Sequence, residues 1–394
     1  MTSQATSRIV IGNVGTVLTG DIAQSRRDAD TIVVEDKKVV FIGSSKNVER
    51  RRGDVRVDAH GLTAIPGLID SHTHPALGDW TPRLNAQQWM EHYVNGGITS
   101  AISQGAIHLP GRPDDPSGTK ALAILSARSF ARFRPGGLKF LGGAVILEPG
   151  LVEADFSEMA AQGVRLIAEI GAAGLADPVE AAPMSRWAKA YGMVSVGHFG
   201  PPSIPGSTAM DADAMIALDV DVVAHANGGS TSGNWADVVR LVDETQKIIE
   251  LAFTGNPKTL LDIADRMHTG KALERIILGS DTPVGSGLMP LGILRIIVLM
   301  CALGEMAPET AICLATGNTA RVYGLSSGVL VEGRDADVLL IDAPHGSYAS
   351  DFTSAAQRGD NPAIAMIMID GTIVTCSPKN TLPSNRQATI RIDE

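Results

Sequence analysis

The chain has 394 residues, 44% of them hydrophobic and 19% charged, with a formal net charge of -10. That length excludes one small domain and points to a large domain carrying a smaller one, while the acidity argues against nucleic acid or an anionic membrane as a main partner. Its three cysteines, Cys301, Cys313 and Cys376, form no Cys-x-x-Cys pair and no even disulfide set, which fits a reducing cytoplasm.

The start, MTSQATSRIVIG, has no basic segment leading into a long apolar one, so no signal peptide is expected. Residues 8–64 read as strands. RIVIGNVGTVL, DTIVVED, KKVVFIG and VRVDAHG are β-branched runs separated by Gly, Asp and Lys turns, with Asp36-Lys37-Lys38 a tight turn between two of them. They are too few for a sandwich of their own.

From residue 65 the pattern alternates. Eight apolar runs, TAIPGLIDSH, GITSAISQ, LKFLGGAVIL, VRLIAEIG, MVSVGHFG, VDVVAHANG, KIIELAFTG and RIILGSD, are separated by helical stretches. NAQQWMEHYVNGG ends in glycines suited to a C-cap, and SGTKALAILSARSFARF opens with Ser117 as N-cap. Eight strand–helix pairs over this length match a (β/α)8 barrel. GLMPLGILRIIVLMCALG reads as a buried helix, since Pro290, Gly292 and Arg295 interrupt it and it is short for a membrane span. PETAICLATGNTARVYG reads as one more helix. Then GVLVEGRDADVLLID and IAMIMIDGTIVT return to strand and can complete the N-terminal sheets, leaving SPKNTLPSNRQATIRIDE as an extended tail. The expected organisation is a (β/α)8 TIM barrel over 65–324, inserted in a β-sandwich built from 1–64 and 325–394.

The first barrel run, IPGLIDSHTHP, ends in His72 and His74, two apart and therefore on one face of a strand. Alone, such a pair is more often two ordinary strand histidines. Its company changes the reading, because Glu169, His198, His225 and Asp281 each fall at the end of another run. In such barrels active sites lie at the C-terminal strand ends. Four histidines and two carboxylates exceed one tetrahedral ion and suit two, with a carboxylate between them. Glu169 stands in an apolar strand, where a charge without a partner is costly. An arginine partner is the plainer alternative. Asp281, in GSDTP, can serve as ligand and as general base and acid, the alternative being a capping aspartate. His108 follows the second run and can reach the pocket. Arg112 can fork a substrate carboxylate or pair with Asp114 or Asp115. Asn227 offers hydrogen bonds to substrate.

IPGLIDSHTH, the two later histidines, GSDTP and ATGNTARVYGL…GVLVEGRDADVLLID together resemble the amidohydrolase superfamily along the whole chain. Within it, HLPGRPDDPSGTKALAI, GGAVILEPGL, EIGAAG, HANGG and SDTPVGSGLMPLGILR look most like the enamidases, hydrolases of 6-oxo-1,4,5,6-tetrahydronicotinate. The resemblance implies two divalent metals, zinc or zinc with iron, with Glu169 bridging where many relatives use a carboxylated lysine. His72, His74 and Asp281 would bind one ion, and His198 and His225 the other. It also implies a homotetramer and hydrolysis of a cyclic amide or enamide C–N bond by a hydroxide held between the metals, with Asp281 as base and acid. The loops HFGPPSIPGS and HANGGSTSGNW depart from the enamidase pattern. The alternatives are a hydantoinase- or dihydroorotase-type cyclic amidase, an N-acyl deacetylase, and a non-catalytic assembly protein on the same fold.

Overall fold

The structure is a computed structural model and describes residues 8–75, 86–105, 107, 109, 111–202, 206–229, 231–283 and 287–393. It divides into two compact units: residues 1–69, 92–99 and 294–394, and residues 70–91 and 100–293. Residues 294–324, expected with the barrel, group with the chain ends, where the helices Pro308–Leu314 and Phe352–Arg358 pack on each other.

Both termini supply the strands of the first unit. A five-stranded sheet runs in the order Thr389–Ile392, Val55–Asp58, Ile9–Gly12, Thr31–Glu35, Lys38–Gly43. A six-stranded sheet runs Thr372–Thr375, Ala363–Ile369, Val338–Asp342, Thr63–Pro66, Thr16–Leu18, Arg26–Arg27. Ile11, Ile32 and Val57 from one sheet and Val17, Leu340 and Met366 from the other share one buried core, as the inner faces of a sandwich do. Asp36 and Lys37 have φ of 47° and 67°, the left-handed pair of a hairpin turn whose twist matches its strands.

Three expectations need correction. The run TAIPGLIDSH is two strands, because Thr63–Pro66 pairs with Val338–Asp342 in the sandwich and the barrel strand starts only at Leu68. Gly67 makes the break possible: a Cβ there would lie 2.1 Å from the Thr99 hydroxyl. PETAICLATGNTARVYG is two helices, Pro308–Leu314 and Gly317–Val322, parted at Thr316, whose hydroxyl bonds back to Ile312 O at 2.6 Å and so competes with the helix ladder. The tail is anchored, with Thr389–Ile392 an edge strand against Val55–Asp58.

Arg386 fastens that tail. Its Nε and backbone amide donate to Oδ2 of the fully buried Asp342 at 3.0 and 2.9 Å, Nη2 donates to Oδ1, and Nη1 reaches Gly61 O at 2.7 Å. Arg386→Leu would leave a buried carboxylate without its charge partner. We expect a loss of about 2–3 kcal/mol, below the full penalty for a buried pair because the guanidinium is partly exposed. Thermal unfolding of the purified variant checks this.

The barrel strands, here β1–β8, are Leu68–Thr73 (β1), Ile98–Ser103 (β2), Lys139–Leu141 (β3), Leu166–Ile170 (β4), Val194–His198 (β5), Val222–Ala224 (β6), Ile248–Ala252 (β7) and Ile276–Gly279 (β8). β1 to β3 form one sheet and β4 to β8 another. Parallel bridges Val145–Ile167 and Thr73–Thr282 join them at both seams and close the barrel. Helix starts are set by Asp115, Asp177, Asp211, Asn234 and Asn256, each accepting amides of the first turn. Asp115, with Pro116 after it, takes the N-cap place expected for Ser117, whose own amide is one of the donors it satisfies. Among the described residues no helix is long and apolar enough to cross a membrane.

Candidate metal centre

All six expected ligands converge, and all are buried. Each arrives at the C-terminal end of its strand. His72 and His74 share one face of β1 and its exit. His198 ends β5. His225 and Asp281 follow β6 and β8 at φ of 33° and 56°, a left-handed region uncommon for such residues and concentrated at functional sites. Glu169 sits in a register slip of β4, where Ile167 faces Ser195 but Ile170 faces Gly197. One residue is extra on the β4 side, and such a bulge re-aims a side chain.

The candidate ligands fall into two trios, His72/His74/Asp281 and Glu169/His198/His225. Glu169 Oε1 lies 2.7 Å from His225 Nε2 and 3.2 Å from His198 Nδ1. Its Oε2 lies 3.3 Å from His72 Nε2 and 3.6 Å from His74 Nε2. Asp281 Oδ1 is 3.4 Å from His74 Nε2 and 3.6 Å from His72 Nε2. One carboxylate thus presents an oxygen to each trio.

The donor set tests whether a cation fits. His72 Nδ1 is 2.6 Å from Glu250 Oε1, and His74 Nδ1 is 3.3 Å from Gly105 O. Both partners are acceptors, so each Nδ1 donates and each Nε2 is the ring nitrogen turned into the cluster. Those Nε2 atoms face each other at 3.2 Å, with carboxylate oxygens beside them. Imidazole nitrogens and carboxylate oxygens gathered at one point are a donor set that a divalent cation fits, the metal taking the place of the Nε2 protons. Among the described residues, the partners of Glu169, Asp281 and Glu250 are histidines, hydroxyls and a backbone amide, with no lysine or arginine. The arginine partner weighed for Glu169 is therefore not found there.

The electrostatics agree. Burial opposes ionisation of Glu169, yet His72 and His225 beside it hold its carboxyl well below the usual range. Burial likewise opposes a charge on His72, but Glu250 and Glu169 lift it well above the ordinary histidine value. Burial and Glu169 act on His225 in the same two directions, with a net rise. A field that draws protons onto buried imidazoles attracts any cation.

The expected substrate contacts fare differently. His108 lies outside the described residues. Arg112 pairs neither with a substrate-facing group nor with Asp114 or Asp115. Its Nη1 donates to the buried Glu148 at 2.6 Å and to Pro113 O at 2.8 Å. Asn227 bridges β6 and β7, donating to Ala252 O and accepting from Ala252 N at 2.9 and 2.8 Å, so its amide is a brace. Two residues escaped the sequence reading. Thr254 donates its hydroxyl to Asp281 Oδ2 at 2.8 Å. Glu250, fully buried in β7, holds His72. The signal for Glu250 was available, since it is an acid inside the apolar run KIIELAFTG.

A model of the amidohydrolase family matches residues 255–374. The chain is 43% identical over 384 residues to the enamidase of Eubacterium barkeri, across 98% of this chain and 100% of that one. A solved enamidase structure, described as a new member of the amidohydrolase superfamily, superposes with a TM-score of 0.94 at 42% identity, covering 98% of this chain and 100% of its own. A D-hydantoinase (dihydropyrimidinase) from Thermus sp. shares the fold, with a TM-score of 0.63 at 17% identity and coverage of 95% and 96%. With 43% identity along nearly the whole of both chains, this protein belongs to the amidohydrolase family.

Proposed function

We propose that the protein is a metal-dependent hydrolase that opens a cyclic amide or enamide at its C–N bond, with 6-oxo-1,4,5,6-tetrahydronicotinate as the leading substrate. The observation that carries this reading is Glu169, with one oxygen toward each buried trio, in a chain similar throughout to an enamidase. His72, His74 and Asp281 would hold one divalent ion and His198 and His225 the other, with Glu169 between. When bound, such ions supply a water acidic enough to ionise near neutral pH and a Lewis acid for the amide carbonyl.

The remaining steps belong to the chain. Thr254 fixes Asp281 Oδ2, which leaves Oδ1 facing the ligand cluster. From there Oδ1 takes the proton of the attacking water and returns it to the ring nitrogen as the C–N bond breaks. If the ring is an enamide, the freed enamine tautomerises to an imine, and a second water releases an aldehyde and ammonia. For the leading substrate the products are 2-formylglutarate and ammonia. Arg112 is engaged by Glu148, so a substrate carboxylate needs another partner or must compete with that pair.

The test follows the ultraviolet absorbance of 6-oxo-1,4,5,6-tetrahydronicotinate with metal-replete protein. Loss of the conjugated band with stoichiometric ammonia supports the reading. A flat trace from metal-loaded protein moves the substrate to hydantoins, dihydropyrimidines, simple lactams or N-acyl groups. Absence of bound metal after loading would favour the assembly protein. Thr254→Val removes one hydrogen bond from Asp281 and is expected to lower kcat about tenfold at little change in KM, the kinetic equivalent of one such bond. Zinc, or zinc with iron, and a homotetramer rest on the resemblance, and a cytoplasmic location on the cysteine usage. Elemental analysis and light scattering test the first two.

A further inference from the structure

We infer that Glu250 is a positioning residue that couples the two trios and sets the strength of the His72 ligand, an inference that rests on the metal reading above. Its carboxylate is fully buried on β7, and each oxygen has a role. Oε1 accepts from His72 Nδ1 at 2.6 Å and from the backbone amide of His225 at 3.3 Å. Oε2 accepts from Ser71 Oγ at 2.6 Å. One side chain therefore holds the ring of a ligand in the first trio and the backbone of a ligand in the second. The second contact falls where His225 stands at a positive φ, a conformation that needs outside support.

The charge matters as well as the shape. An anion on Nδ1–H fixes the tautomer and makes Nε2 a stronger base, and Nε2 is the atom that faces His74, Glu169 and Asp281. The neighbouring strand is cut to fit this pair. A Cβ at Gly279 on β8 would lie 2.6 Å from His72 Cβ and 3.2 Å from Glu250 Cδ, so only glycine leaves both in place.

Glu250→Gln isolates the charge, because the amide oxygen still accepts from His72 while the amide nitrogen turns to Ser71, whose hydroxyl can accept. With zinc as the probe, competition against a chromophoric chelator should show one ion bound about 10–100-fold more weakly, the usual effect of removing a ligand's hydrogen-bonding partner. The cobalt-loaded variant should show a shifted visible spectrum. The metal-free variant should melt close to the metal-free wild type, which a purely structural role does not predict. Ser71→Ala should shift zinc affinity in the same direction by a smaller factor, and it decides the matter if Glu250→Gln does not fold. Wild-type zinc affinity and an unchanged cobalt spectrum in Glu250→Gln, or in Ser71→Ala if that variant has to decide, would overturn the inference while leaving the hydrolase reading intact. Wild-type protein that takes up no zinc would overturn the reading beneath it.

Discussion

Asp281→Asn is expected to lower kcat by about two to four orders of magnitude, the usual contribution of a positioned general base. The substitution is close to isosteric. Asparagine can still accept the Thr254 hydroxyl and still turn its carbonyl oxygen toward His72 and His74, so the metal content should stay near that of the wild type. What it lacks is a site for the proton. Substrate contacts elsewhere are untouched, so KM should move little, and the loss should appear equally in kcat and kcat/KM. Steady-state kinetics beside elemental analysis separate the two roles of Asp281. Loss of metal together with activity would make it a ligand first, and full turnover with both ions bound would remove it as the base.

Glu169→Gln should be at least as damaging for a different reason. A carboxylate offers two equivalent oxygens, and here one faces each trio, at 2.7 Å from His225 and 3.3 Å from His72. Glutamine has one oxygen and one NH2 group. Whichever way it turns, one trio receives an NH2 donor where a metal ligand is needed. The variant should retain one ion tightly and lose most of its affinity for the other. Removing the paired site forfeits several kcal/mol of charge stabilisation, so kcat should fall by roughly 10³-fold. Zinc titration with a count of sites, run beside the kinetics, checks both parts. Two tight sites in the variant would show that Glu169 does not bridge.

The candidate metal centre was legible because its six residues follow the rhythm of the chain. Each of the six lies at the end of an apolar run, and in a parallel barrel those ends meet on one face. His72 and His74 needed only the period of a strand. Glu169 declared itself as an acid among apolar neighbours. Glu250 carried the same mark in KIIELAFTG and was passed over because it lies mid-strand, where the rule about strand ends does not look. Thr254 gave no mark at all, since a threonine in a loop is ordinary until Asp281 is seen to turn toward it. Arg112 and Asn227 are the converse case, each engaged within its own scaffold. Both sit in glycine- and proline-rich segments near the strand ends, which invites a substrate role. Whether a loop side chain reaches outward or braces its own scaffold depends on partners far along the chain, Glu148 for one and Ala252 for the other.

The sequence by itself determined the strand–helix alternation, the sandwich built from both chain ends, and the six candidate ligands at the strand ends. These follow from local period, turn chemistry and the cost of burying charge, all written within a few residues. Only the tertiary structure decided that TAIPGLIDSH is shared between sandwich and barrel, that the helix after Pro308 breaks at Thr316, and that the last residues form an edge strand pinned by Arg386. It alone decided how the six candidate ligands divide, one oxygen of Glu169 to each trio, and that Glu250 stands behind His72. The reason is the same throughout. Hydrogen-bond partners and close contacts between residues far apart in the chain are set by how the strands are laid side by side, and no local pattern records that choice.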